Sequence, residues 1–172
     1  MIISNNQEYI HRIYNWINTK NKIDVELLYR KSRDGDSYDT FHQLCDDKGK
    51  TLILVKGTEN FIIGAYTPIN WDNYHNNWLK DDETFLFSLT NNKIYRKKAP
   101  SIESIYCAKS CGPWFGGIGF REKGKQNMSQ GEFIYSRSDR EYFGNINDII
   151  PNEAKGRYFD VEEVEIYKLV FE

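Results

Sequence analysis

Thr51-Leu52-Ile53-Leu54-Val55, followed after the turn residues Gly57-Thr58-Glu59-Asn60 by Phe61-Ile62-Ile63-Gly64-Ala65-Tyr66-Thr67, is the stretch that decides the fold. The first run is continuously apolar and β-branched, as in a strand covered on both faces. Four turn-type residues separate it from a second such run, so the two read as an antiparallel hairpin that Pro68 ends. Gly64 and Ala65 leave room in its middle for another backbone or a ring to come close.

Outward from this hairpin, Thr84 to Thr90 alternates Phe85, Phe87 and Leu89 with Ser88 and Thr90, the pattern of a half-buried strand. Shorter strand candidates are Lys93 to Arg96, Glu103 to Cys107, Gly117 to Arg121 and Phe133 to Ser136. Tyr158 to Phe171 is the clearest strand, with Val164 and Ile166 opposing Glu163, Glu165 and Tyr167. On the N-terminal side, Ser4 and Gln7 have the form of a capping box. Tyr9, Ile10, Ile13, Tyr14 and Ile17 then recur at helical spacing, predicting a helix from about Gln7 to Asn18. Ile23 to Tyr29 is short and apolar, and periodicity alone does not assign it. Asp36 or Ser37 caps a second helix bearing Tyr38, Phe41, Leu44 and Cys45 on one face, with Gly49 after its last turn. With no βαβ alternation and no internal repeat, the fold class is mainly β (α+β), a two-sheet antiparallel β-sandwich flanked by N-terminal helices. Residues 1–172 read as one domain, with 1–22 an N-terminal helical extension.

The 172 residues carry 23 Lys and Arg against 25 Asp and Glu, so no global field draws the chain to nucleic acid or an anionic membrane. No apolar run reaches the roughly 20 residues that cross a bilayer, and Met1-Ile-Ile-Ser lacks the pattern of a signal peptide, which predicts a cytoplasmic monomer without membrane insertion. The 4 Trp, 12 Tyr and 10 Phe exclude intrinsic disorder. Three cysteines, an odd number, fit free thiols in a reducing compartment.

Several constellations invite chemistry. Ser32-Arg33-Asp34-Gly35-Asp36 places an Arg-Asp pair before a tight turn, either a recognition loop or an architectural turn docked on the sheet. Gly112-Pro-Trp-Phe-Gly116-Gly117 lacks the Lys-Ser/Thr ending of a phosphate cradle, and its glycines read as positive-φ turn residues that let Trp114 and Phe115 insert into the core. His42, Cys45, Cys107 and Cys111 are zinc-compatible on paper, but the pairs are far apart and no metal or other cofactor is expected. The same thiols allow a stoichiometric oxidant scavenger, and the rings and amides from Trp71 to Trp78 a lectin-like carbohydrate site. Glu163 and Glu165 read as a solvated acidic face suited to a contact patch rather than to acid-base catalysis. No catalytic residue is expected, and partner binding is placed on Arg33, Asp34, Glu163 and Glu165.

Leu27-Leu-Tyr-Arg-Lys-Ser-Arg-Asp-Gly-Asp-Ser, Phe41-His-Gln-Leu-Cys-Asp-Asp-Lys-Gly-Lys-Thr-Leu, Gly64-Ala-Tyr-Thr-Pro-Ile-Asn-Trp, Asp82-Glu-Thr-Phe-Leu-Phe-Ser-Leu, Gly112-Pro-Trp-Phe-Gly-Gly and Phe159-Asp-Val-Glu-Glu-Val-Glu-Ile-Tyr-Lys-Leu succeed one another in an order that resembles TLDc domains, the module of oxidation-resistance proteins. The resemblance covers roughly Leu27 to Leu169. It implies a two-sheet β-sandwich carrying helices, no established catalytic centre, a protective role under oxidative stress, and binding to the cytosolic machinery of the proton-pumping vacuolar ATPase. One departure is that many relatives carry an acid soon after the Phe115-Gly116-Gly117 turn, where this chain has Ile118-Gly119-Phe120-Arg121, with Glu122 a displaced equivalent.

Overall fold

The computed structural model describes residues 1–3, 6–17, 20–121, 127–133, 142–150 and 158–172. It is mainly β, with few helices. Helix α1 (Gln7–Ile17) precedes β1 (Ile23–Arg30), a single helical turn α2 (Lys31–Asp34) and α3 (Tyr38–Cys45). Next in the chain come the strands β2 (Thr51–Gly57), β3 (Ile62–Thr67), β4 (Asn77–Lys80), β5 (Phe85–Ser88), β6 (Lys93–Arg96), β7 (Glu103–Cys107), β8 (Trp114–Phe115), β9 (Ile118–Gly119), β10 (Gln130–Phe133) and β11 (Tyr158–Phe171). A 3₁₀ turn at Ile146–Asp148 lies between β10 and β11.

All the described strands pair antiparallel in one path, β4-β7-β8-β9-β10-β11-β2-β3-β5-β6, with β1 also on β11. β11 is long enough to pair in both halves of the path. Its first residues join β10, its middle joins β2, and its last residues join β1.

The hairpin shows why an unbroken apolar run was needed. Ile53 and Val55 of β2 and Ile63 and Ala65 of β3 point into a core shared with Ile105, Cys107, Phe115, Ile118 and Phe133 of the other half of the path. Leu52, Leu54 and Tyr66 point the opposite way, into a second core with Ile13 of α1. Both faces are thus buried, as the composition of Thr51 to Val55 predicts. The β5 strand is covered on both faces too, with Leu86 in the first core and Phe85 and Phe87 in the second. Ser88 is also fully buried, so the half-buried reading of this strand is corrected. Gly64 sits opposite Phe87 across the β3–β5 ladder, and a Cβ there would fall inside the Phe87 ring.

Local chemistry explains the remaining elements. The Asn6 side chain accepts a hydrogen bond from the Tyr9 amide at 3.1 Å and caps α1; Ser4, named for that role, lies outside the described residues. Ser37 caps α3 by accepting from the Thr40 amide at 3.1 Å, which decides between it and Asp36. The unassigned run Ile23 to Tyr29 is a strand because β11 offers it an edge. Asn77–Lys80 pairs with β7 as β4, and Trp78 packs on Tyr106 with ring centroids 5.2 Å apart. Gly116 and Gly117 take φ values of 37° and 144° between β8 and β9. Gly112 does not take a positive φ; a side chain there would meet Met128 and Phe120, so close approach is its reason. Of the strand proposed at Phe133 to Ser136, Phe133 closes β10 (Gln130–Phe133), and Ile134, Tyr135 and Ser136 lie outside the described residues.

Phe87 is fully buried and packs on Trp16 at 5.4 Å and Phe85 at 6.1 Å between centroids. Phe87→Ala removes this ring beneath α1 and opens space above Gly64. Its expected cost is about 3–5 kcal/mol in urea unfolding; a loss below about 1 kcal/mol would show that α1 does not seal this face.

Candidate functional site

The four residues singled out for partner binding come together where β1, α2 and β11 meet. β1 ends at Arg30, and the chain makes the one-turn helix Lys31–Asp34 and leaves it through Gly35 at φ 88°. Within that turn the Asp34 carboxylate accepts from the Arg30 amide at 2.8 Å and from Arg33 Nε and Nη2 at 2.7 and 2.8 Å. The Arg33 guanidinium hydrogen-bonded to it holds the Asp34 carboxyl below its usual range. Arg33 Nη2 also donates to the Leu28 carbonyl at 2.9 Å, and the Tyr29 hydroxyl donates to the Gly35 carbonyl at 2.5 Å. The loop is therefore an architectural turn, yet Arg33 remains 47% exposed.

The turn docks on a bulge in β11. Val161 pairs with Gly57 and Glu163 with Lys56, so Glu162 is the extra residue in the ladder. The Lys31 ammonium donates to the Val161 and Glu162 carbonyls at 3.0 and 3.1 Å beside that irregularity. Glu163 Oε1 accepts from the Ser32 and Val164 amides at 3.1 and 3.0 Å. Glu163 is consequently half-buried and committed to the junction.

Glu165 requires the larger correction. Alternation puts it on the face opposite Val164 and Ile166, but that face is not solvated. The N-terminal segment covers it, and the Glu165 side chain is fully buried. Its carboxylate accepts from the Tyr167 hydroxyl and the Ile2 amide, both at 2.8 Å, and pairs with Arg30 Nε at 3.2 Å and the Met1 amino group at 3.8 Å. A carboxylate so enclosed offers a partner nothing. The exposed charges at the junction are Arg33 and Glu162, the latter paired with Lys56 at 2.7 Å.

The other sequence candidates are enclosed as well. Trp114 and Phe115 are buried, and the Arg121 guanidinium lies over the Trp114 ring at 4.7 Å while pairing with buried Glu132. Glu122, the displaced acid, lies outside the described residues. Trp71 is buried, with its indole N–H donating to Thr51 at 2.9 Å, so it presents no ring to a sugar; Tyr74 in the same loop is exposed. His42 Nδ1 lies 2.8 Å from the Asp46 carboxylate, and Nε2 lies 3.0 and 2.9 Å from the Ala108 and Cys111 carbonyls. Neither ring nitrogen is left for a metal. Among the described residues no group of three or more His, Cys, Asp or Glu is placed to hold one.

One arrangement escaped the sequence reading, since nothing local links its residues. The Lys97 ammonium reaches Ser104 Oγ and the Asp81 carbonyl, and burial pushes its pKa down. A depressed lysine beside a serine is the geometry of a base and nucleophile. Ser104, however, is fully buried, so the pair braces the start of β7 against the Asp81 turn.

None of the three cysteines is in a disulfide, and all are buried. Burial pushes the Cys45 thiol well above its ordinary value and Cys107 up to about 12, the reverse of what a reactive thiol needs. Native protein is therefore expected to resist a disulfide-exchange reagent near neutral pH and to label fully once denatured; rapid native labelling would restore the scavenger reading. Because both thiols are raised, their contribution to stability is complete below the ordinary thiol value of 9.0 and is lost as pH climbs through the folded values. Stability should therefore decline in alkali, measurable as a falling urea midpoint. At the junction, Arg30→Ala leaves Glu165 buried beside one fewer cation and should cost about 3–5 kcal/mol. Glu162→Ala removes only an exposed pair and should cost less than about 1 kcal/mol. Equal costs in urea unfolding would contradict the buried-pair assignment.

Comparison with known proteins places this geometry in a family. The TLDc domain model matches residues 2–170, nearly the whole chain. No curated protein matches the sequence. A match of that extent, from before α1 to the last residues of β11, shows that the chain belongs to the TLDc domain family.

Proposed function

We propose that the chain is a non-catalytic protein-binding module acting in oxidative-stress protection, through contact with the cytosolic machinery of the proton-pumping vacuolar ATPase. The observation that carries this reading is the family match over residues 2–170. The geometry supports binding over chemistry, because the thiols and the Ser104–Lys97 pair are enclosed. It also narrows the contact surface. Of the four residues first assigned to it, Arg33 is the exposed one, held in place by Asp34 and the Leu28 carbonyl, while Glu163 and Glu165 support the turn from beneath. We read the two halves of the strand path as the layers of a sandwich, on the ground that β2, β3 and β5 share one core with β7 to β10.

A fixed, half-exposed guanidinium recognises acidic groups on a partner at little entropic cost. Affinity capture from lysate followed by mass spectrometry is expected to recover vacuolar ATPase subunits with the wild-type chain. Arg33→Ala should lose most of that recovery, with an unchanged circular dichroism spectrum and a stability loss of no more than about 1 kcal/mol. Added salt should weaken the wild-type complex. Recovery of no ATPase subunit, or equal recovery by wild type and a folded Arg33→Ala, would overturn the assignment.

A further inference from the structure

The far end of the β1–β11 ladder holds a second charged feature, unlike the first. A hollow of about 580 Å³ opens there, lined by Lys20, Lys50, Tyr66, Glu83, Arg96 and Phe171, with Ile17 beside them. Its size falls within the roughly 300–1,000 Å³ typical of small-molecule sites. Three cations thus face one carboxylate, in a chain whose net charge is -2.

Two of the three cations are positioned without being neutralised. Arg96 lies over the Phe85 ring at 4.8 Å and donates from Nη2 to the Trp16 carbonyl, and Lys50 lies over the Phe171 ring at 4.5 Å. Ring faces and carbonyls hold a cation in place but do not cancel its charge. Among the described residues none of Lys20, Lys50 and Arg96 forms an ion pair with a carboxylate. Glu83, the acid present, accepts from the Tyr66 hydroxyl at 3.3 Å. In the α2 junction, by contrast, every buried charge faces an opposite one.

We propose that this hollow is a binding site for a phosphate group on a small molecule or a lipid headgroup. Two ammonium groups and a guanidinium supply more donors than the two oxygens of a carboxylate satisfy, whereas a phosphate presents three terminal oxygens and up to two charges. Ile17, Tyr66 and Phe171 give the wall an apolar part against which the organic portion of the ligand rests.

The test is calorimetric titration of the full chain with inorganic pyrophosphate at low salt. Saturable binding is expected, at least tenfold weaker in the Lys20→Glu, Lys50→Glu double variant. Arg96→Ala should weaken it similarly where its melting temperature is preserved; where it is not, the lysine pair, which lies outside both cores, decides alone. Flotation with phosphoinositide-containing vesicles against phosphatidylcholine vesicles separates the sources. Retention lost in the double variant assigns a lipid headgroup, and binding of pyrophosphate without retention assigns a soluble phosphate. Binding of neither probe, unchanged affinity in the double variant, or citrate binding as tightly as pyrophosphate would overturn the proposal.

Discussion

The molecule hangs on the hydrogen bonds of β11. Its 14 residues pair with β10 at Tyr158 to Asp160, with β2 from Val161 to Lys168 and with β1 from Glu165 to Phe171. Among the described residues no other strand links the two halves of the path. Register here is set by burial as well as by bonds, because Val164 and Ile166 enter one core while Tyr167 and Leu169 enter the other. A slip of one residue would exchange the two sets and drive Glu165 into the aromatic core.

That dependence explains which parts of the fold were legible in the sequence. Thr51 to Val55 announces two-sided burial through composition alone, since no polar face interrupts it. Gly64 announces a close ring because a strand interior rarely tolerates glycine without a partner above it. The helical spacing of α1 and the Ser37 cap of α3 arise from short-range chemistry of the same kind. What was not legible lies in contacts between elements distant in the chain. The state of Ile23 to Tyr29 was decided by an edge of β11 about 140 residues later, and Asn77–Lys80 became a strand only because β7 was there to pair with it.

The candidate site divides along the same line. Arg33, Asp34 and Gly35 form the turn that their types foretell. Glu165 was placed on the correct face of its strand and given the wrong surroundings, since alternation reports which residues share a face and says nothing of what covers it. A trace of the irregularity was present, nevertheless. Val161 and Val164 both enter the core three residues apart, where strict alternation requires two or four, and the additional residue is the bulge on which Lys31 docks.

Enclosed and unneutralised charge play different parts in this fold. At the α2 junction the desolvation of Glu165 is offset by Arg30, the Tyr167 hydroxyl and the Ile2 amide, so its electrostatic free energy is consumed in holding β1 and the N-terminal segment to β11. Arg33, exposed and held by Asp34 and the Leu28 carbonyl, has donor capacity left for another molecule. At the opposite end of the ladder, Lys50 and Arg96 rest on aromatic rings and, among the described residues, pair with no carboxylate. Aromatic support of this kind orients a cation while leaving its field intact, so less ordering cost falls on whatever anion approaches it. The same long strand thus organises charge used internally at Glu165 and charge left available beside Phe171.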